Sequence, residues 1–224
     1  VYAVLEDHFD LTVGNAHHIK NVPGRKTDVK DAEWIAQLVR HGLVAKSFVP
    51  PPAIRDLREL VRCRRTLIET RTAARNRVLK LLESANIKLS GVASDVFGVS
   101  GLAMLEALAA GTTSASEMAG LARGRMRRKQ AALEAALDGR MREHQRFLLA
   151  MQLRHLEAIG RDLEALDARI ELQLEPFHAQ HRLLVQIPGV DWVTAAAIIA
   201  EIGTDMGVFA TARHLAAWVR GAPG

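Results

Sequence analysis

Cysteine occurs once in this chain, as Cys63. No disulfide can close within it, and a reducing cytoplasm fits that usage. Aromatic residues reach only 4%. No apolar run approaches the ~20 residues that cross a bilayer, and no basic stretch leading into an apolar one opens the chain. A membrane partner and a secretory signal are therefore not expected. Acidic residues are in deficit, 25 against 30 basic ones, for a net charge of +5 and a pI near 9.8. That balance admits an anionic partner or simply a soluble protein with a basic surface. The nine histidines show neither HxxxH nor HxxEH spacing. His17, His18, His178 and His181 read as surface polar residues rather than metal ligands. Cys63, set among arginines, reads as structural, and Trp192 and Trp218 as packing residues.

What is plentiful is Ala, Leu and Arg, residues at home in helices, within a chain that is 49% hydrophobic. Its 224 residues suffice for one large domain or two to three small ones. The opening YAVLEDHF already resembles the middle of a helix and the last residues are GAPG, so we read the chain as a piece of a longer protein.

Residues 2–8 are expected to finish a helix and 9–15, "FDLTVGN", to alternate as a strand. A basic loop, "HHIKNVPGRK", turns at Pro23-Gly24 and brings Arg25 and Lys26 before a helix predicted from Thr27 to about Arg40. Pro50 to Pro52 then mark a boundary. A long helix, 53–85, is expected to carry a stripe of Ile54, Leu57, Leu60, Val61, Leu67, Ile68, Ala74, Val78, Leu81 and Leu82. From Arg55 to Lys88 there are ten basic and four acidic residues. A Gly/Ser-rich break at 90–101 leads to shorter helices near 101–110, 116–122 and 125–137, with stops at Gly111 and Gly139. A second long helix, 141–174, has its stripe at Leu148, Leu156, Ile159, Leu163, Leu166 and Ile170. The two long helices, joined by a helical tip, predict an antiparallel coiled coil. A short helix to Ile187, a turn at Pro188-Gly189, a helix from near Asp191 and a further one at 214–219 complete the chain. Three segments result: 1–48, part of an α/β domain; 49–183, helical; and 184–224, a small helical unit.

Three features could carry chemistry. Asp28 and Asp31, three apart, share one helix face and can converge on one point. Acids at a helix start also serve as caps and complement its dipole, and Mg²⁺ would need further oxygen ligands. Second, the Pro188-Gly189-Val190 turn between helices fits either the ordinary pairing of two helices or a helix-hairpin-helix, whose backbone N–H groups, around Gly189 and Val190, can meet phosphate oxygens. Asp191, where that pattern usually has a second glycine, reads instead as a helix cap. Third, Arg123, Arg125, Arg127, Arg128 and Lys129 form one dense basic cluster, and Arg62, Arg64, Arg65, Arg71, Arg75 and Arg77 another. Arginine without a balancing glutamate at i+4 suits a polyphosphate backbone. The residues put forward for nucleic-acid contact are Arg25, Lys26, Arg62, Arg65, Arg125, Arg127, Arg128, Lys129, Gly189 and Val190.

The stretch "NAHHIKNVPGRKTDVKDAEWIAQLVRHGLV" resembles the insertion-sequence 110 family of bacterial DEDD transposases. The likeness continues through "SFVPPPAIRDLRELVRCRRTLIETRTAARNRVLKLLESANIKLSGVASDVFGVSG" and returns at "IPGVDWVTAAAIIAEIGTDMGVFATARHLAAW". The resemblance implies a mainly α chain with a remnant of a RuvC-like (RNase H-like) domain, a helical coiled coil and part of a C-terminal serine transposase domain. It makes Asp28 and Asp31 the last two acids of a Mg²⁺ site. The first Asp and the Glu lie upstream of anything resembling this chain's opening, and the nucleophilic serine just beyond a segment like its final APG. Glu6 falls in the wrong local motif to be the missing Glu, and family members often carry an Asp where Asp191 stands. The implied activity is DNA recombination, guided in some members by a structured RNA, with DNA as partner and the coiled coil mediating homo-oligomer contacts. The chain alone is expected to be inactive. A non-catalytic nucleic-acid-binding fragment and a RuvC-like junction-resolving nuclease are the other readings.

Overall fold

The computed structural model describes residues 2–14, 16, 19, 31–44 and 46–221, with backbone only for Asp31, Ala217 and 219–221. The fold is mainly α, 73% helical. Its helices are α1 Tyr2–Leu5, α2 Asp31–Arg40, α3 Pro52–Ser84, α4 Val99–Ala110 and α5 Ala115–Gly120. There follow α6 Gln130–Leu137, α7 Glu143–Leu174, α8 His178–Val185, α9 Trp192–Ile202 and α10 Ala212–Gly221. Two compact units result, one formed by residues 1–55 with 198–224, the other by 56–197.

Local chemistry explains the boundaries. Pro52 opens α3, where its missing N–H is no loss, and the Pro51 carbonyl accepts from the N–H groups of Ile54 and Arg55. Asn86, in the left-handed region at φ 57°, ends it, and Ile87 N–H reaches back to the Leu82 carbonyl at 2.9 Å. At α5, Ser114 and Glu117 form a reciprocal capping box.

In the 56–197 unit the core joins Val78, Leu82, Ile87 and Leu89 to Met104, Leu105 and Leu108 of α4, Met118 and Ala119 of α5, Leu133 and Leu137 of α6, and Leu149 of α7. α3 and α7 run antiparallel. Gln145 Nε2 donates to Ser84 Oγ at 3.0 Å, and farther along Arg64 Nη2 donates to Asp167 Oδ2 at 3.2 Å. The chain turns back between them through a close approach: Lys88 N–H donates to the Ala136 carbonyl and Arg140 N–H to that of Ala85. Only a glycine fits at 139, because a Cβ would lie 2.6 Å from both the Ala85 oxygen and Ile87 Cγ1.

Several expectations are corrected. Of the strand expected over 9–15, the described residues 9–14 form none. Val13 and Gly14 meet 46–47 in a single antiparallel bridge, with Ser47 N–H donating to the Val13 carbonyl at 2.7 Å. With no third strand described to extend it, so short a pairing does not grow. The helix expected over 125–137 breaks in two, a 3-10 turn over Gly124–Lys129 preceding α6. On α7, Leu148 is exposed, and its neighbour Leu149, fully buried, takes the core position. On α3, Ile54, Leu57, Ala74, Val78 and Leu82 are buried, whereas Leu60, Val61, Leu67, Ile68 and Leu81 are half-buried. No helix among the described residues is long and apolar enough to cross a membrane.

Candidate nucleic-acid interface

Asp31 stands at the first position of α2, where a carboxylate is favoured by the helix dipole. Asp28, Arg25 and Lys26 lie outside the described residues. Among the described residues no group of three or more His, Cys, Asp or Glu side chains is arranged to hold a metal. Glu6 is engaged elsewhere: both its carboxylate oxygens accept from Arg55 Nη2, at 2.6 and 2.7 Å, and that guanidinium stacks over the Tyr2 ring at 5.3 Å.

The two arginine clusters are built differently. In the second, the 3-10 turn is stapled to its surroundings. Arg123 N–H donates to buried Ser100 Oγ at 2.9 Å, Arg127 Nε to the Ala122 carbonyl at 3.3 Å, and Lys129 Nζ to the Val92 carbonyl at 2.8 Å. These links explain why the segment leaves the α-helical path. Arg123, Arg125, Arg127, Arg128 and Lys129 are all exposed, and no carboxylate among the described residues pairs with any of them. In the first cluster, charge is largely spent within the fold. Arg64 binds Asp167 through two nitrogens, and that hydrogen bond raises the already high pKa of its guanidinium. Arg65 pairs with Glu69 one turn on at 3.2 Å, so this arginine does have a balancing glutamate at i+4. Arg75 lies over the Phe97 ring at 5.0 Å.

At the α8–α9 hairpin, Gly189 takes φ +86°, a conformation costly to any other residue, and no atom would meet a side chain there. Val190 N–H donates inward, to the Ile187 carbonyl at 3.0 Å. Asp191 caps α9: its Oδ1 accepts from Thr194 N–H at 2.7 Å, and the hydrogen bonding holds its pKa below the usual carboxylate value. His181, expected at the surface, is buried. Its ring Nε2 lies 3.0 Å from the Trp192 carbonyl, and the ring meets the Trp192 indole edge-on at 5.8 Å. The pair clips α8 to α9, and no sequence spacing announces it. Cys63 is exposed. Trp218 packs edge-on against Phe48 and donates Nε1–H to the Glu201 carbonyl.

A model of insertion-sequence 110 DEDD transposases, described as "Transposase", matches residues 1–87, and one described as "Transposase IS116/IS110/IS902 family" matches residues 181–224. Together they take in more than half of the chain, which belongs to the bacterial insertion-sequence 110 family of transposases. A transposase is a DNA-processing enzyme, so the family implies DNA as its partner. No curated protein and no solved structure matches the chain.

Proposed function

We propose that this chain is part of a DNA recombinase that cuts and rejoins DNA at the ends of a bacterial insertion sequence. The observation that carries the reading is the pair of family matches bracketing the chain, the first of which spans TDVKDAEW. Residues 1–48 are read as part of a RuvC-like domain, 49–183 as the coiled-coil region and 184–224 as part of the C-terminal transposase domain. Asp28 and Asp31 hold Mg²⁺ together with two further carboxylates. The donor set suits that ion, since both residues offer carboxylate oxygens only. When bound, such an ion polarises phosphate oxygens and activates a nucleophile. Asp31 stands at the first position of α2, three residues after Asp28 in the sequence. A serine oxygen of the C-terminal domain would attack a DNA phosphorus as a deoxyribose oxygen of the cut strand leaves, and the attack of a strand-end hydroxyl on that phosphorus would rejoin DNA and free the serine. Arg25, Lys26, Arg62, Arg65, Arg125, Arg127, Arg128, Lys129 and Gly189 contact the nucleic acid, DNA or a structured guide RNA, Val190 being dropped because its N–H is held by the Ile187 carbonyl, and the protein acts as a homo-oligomer.

The test uses a chain carrying all four acids and the serine. Asp28→Asn or Asp31→Asn abolishes Mg²⁺-dependent strand cleavage there while thermal unfolding is little changed, because Asn also caps helices and loss of one crowded carboxylate relieves repulsion. Full cleavage by either variant would sink the metal-site assignment.

A further inference from the structure

Where α3 ends and α7 begins, a concavity of about 1010 Å³ opens between residues 84–86 and 138–146. Its walls present Arg140, Arg142, His144 and Arg146, against a single carboxylate, Asp138. Among the described residues none of the three arginines has an ion-pair partner. Arg140 and Arg142 are exposed. Arg146 is partly buried, with its guanidinium against Gly111, where a Cβ would fall 2.5 Å from Nη1, and its Nε is buried without an acceptor.

The backbone beneath these side chains is fixed. Gln145 spans the site, its Oε1 accepting from Arg142 N–H at 2.8 Å and its Nε2 donating to Ser84 Oγ. Arg140 N–H is tied to the Ala85 carbonyl at 3.0 Å. The concavity therefore holds several guanidinium donors on a rigid frame with too little negative charge to match them. Guanidinium groups bind phosphate oxygens two at a time, and a polyanion offers the repeated acceptors that would relieve this crowding. The lining contains no Phe, Tyr or Trp, and His144 supplies its one ring, which argues against a base-stacking platform. An open, polar wall also argues against a small apolar ligand.

We propose that this groove is a second phosphate-binding site, taking the phosphodiester backbone of a nucleic acid without reading its bases. The choice of anion rests on the nucleic-acid reading above, but binding here does not depend on strand cleavage. Loss of cleavage chemistry in the aspartate variants and loss of binding here are therefore separate results.

The experiment measures fluorescence anisotropy of a labelled DNA duplex and a labelled RNA hairpin titrated with the 224-residue chain over a salt series. Arg140→Gln with Arg142→Gln is expected to weaken binding by about tenfold near physiological salt and to reduce the log–log salt slope by about two. Arg161→Gln with Arg169→Gln removes the same charge from the exposed side of α7, outside the groove, and is expected to change affinity by no more than about twofold. A loss with either probe supports the site, and the probe affected identifies the backbone it takes. Unchanged affinity and slope with both probes overturns it, as does an equal loss in the Arg161/Arg169 variant. Protection of the unmodified chain against phenylglyoxal, mapped by mass spectrometry, is independent of whether the variants fold: Arg140 and Arg142 reacting equally with and without saturating nucleic acid would also overturn the assignment.

Discussion

Gly139 shows how one missing methyl group fixes the return of the chain between α3 and α7. A Cβ there would lie 2.6 Å from the Ala85 oxygen, and that oxygen cannot withdraw, since it accepts the Arg140 N–H at 3.0 Å. Gly139→Ala is therefore expected to destabilise the fold by about 1–3 kcal/mol, the usual cost of overpacking a closed site. Chemical denaturation of the two proteins measures it. A variant as stable as the parent would mean that the turn relaxes freely. Arg125 and Arg128, exposed on the Gly124–Lys129 turn, contrast with this, whereas Arg127 is held to the Ala122 carbonyl.

Between helices, the position that matters on α7 is decided by rotation about its axis. Leu149 is fully buried against the core that α4, α5 and α6 share, while Leu148 remains 39% exposed. Leu149→Ala is expected to cost about 2–5 kcal/mol, a lost transfer energy plus a cavity. Leu148→Ala is expected to stay within about 0.5 kcal/mol. Urea titrations of both variants check the assignment, and equal losses would contradict it. The Arg64–Asp167 contact farther along is partly solvated and adds orientation more than stability. Together with the Gln145–Ser84 bond it establishes that α3 and α7 run in opposite directions.

For the whole molecule, the family implies DNA as a partner, and the exposed cations of the Gly124–Lys129 turn are among the contacts proposed for it. Each phosphate contact releases condensed counterions, so affinity is expected to fall steeply with salt. Changing Arg125, Arg127 and Arg128 together to Ala is expected to weaken binding across unrelated sequences and to lower the salt slope by up to about three. Unchanged affinity and slope in an anisotropy titration would return this turn to a merely solvated surface. The first arginine cluster is expected to contribute less than its charge suggests, because Arg64, Arg65 and Arg75 are already committed to Asp167, Glu69 and Phe97.

The long helices, the proline boundary before Pro52, the glycine stops at Gly111 and Gly139 and the cap at Asp191 were all legible in the chain, because each follows from chemistry within a few neighbouring residues. The acid pair was legible as a pattern; its role as a metal site came from the resemblance. The burial of Leu149 in place of Leu148 was not legible. Adjacent helical residues differ by about 100° in direction, and both are leucine, so the packing of α4 to α6 selects between them. Nor was the burial of His181, whose ring finds its partner only when α8 and α9 fold back on each other. The 3-10 break at Gly124–Lys129 depends on carbonyls of Ala122 and Val92 and on the Ser100 hydroxyl. Local propensity sets where helices can begin and end; which side faces inward, and which charges are already spent, follows from contacts between residues distant in the chain.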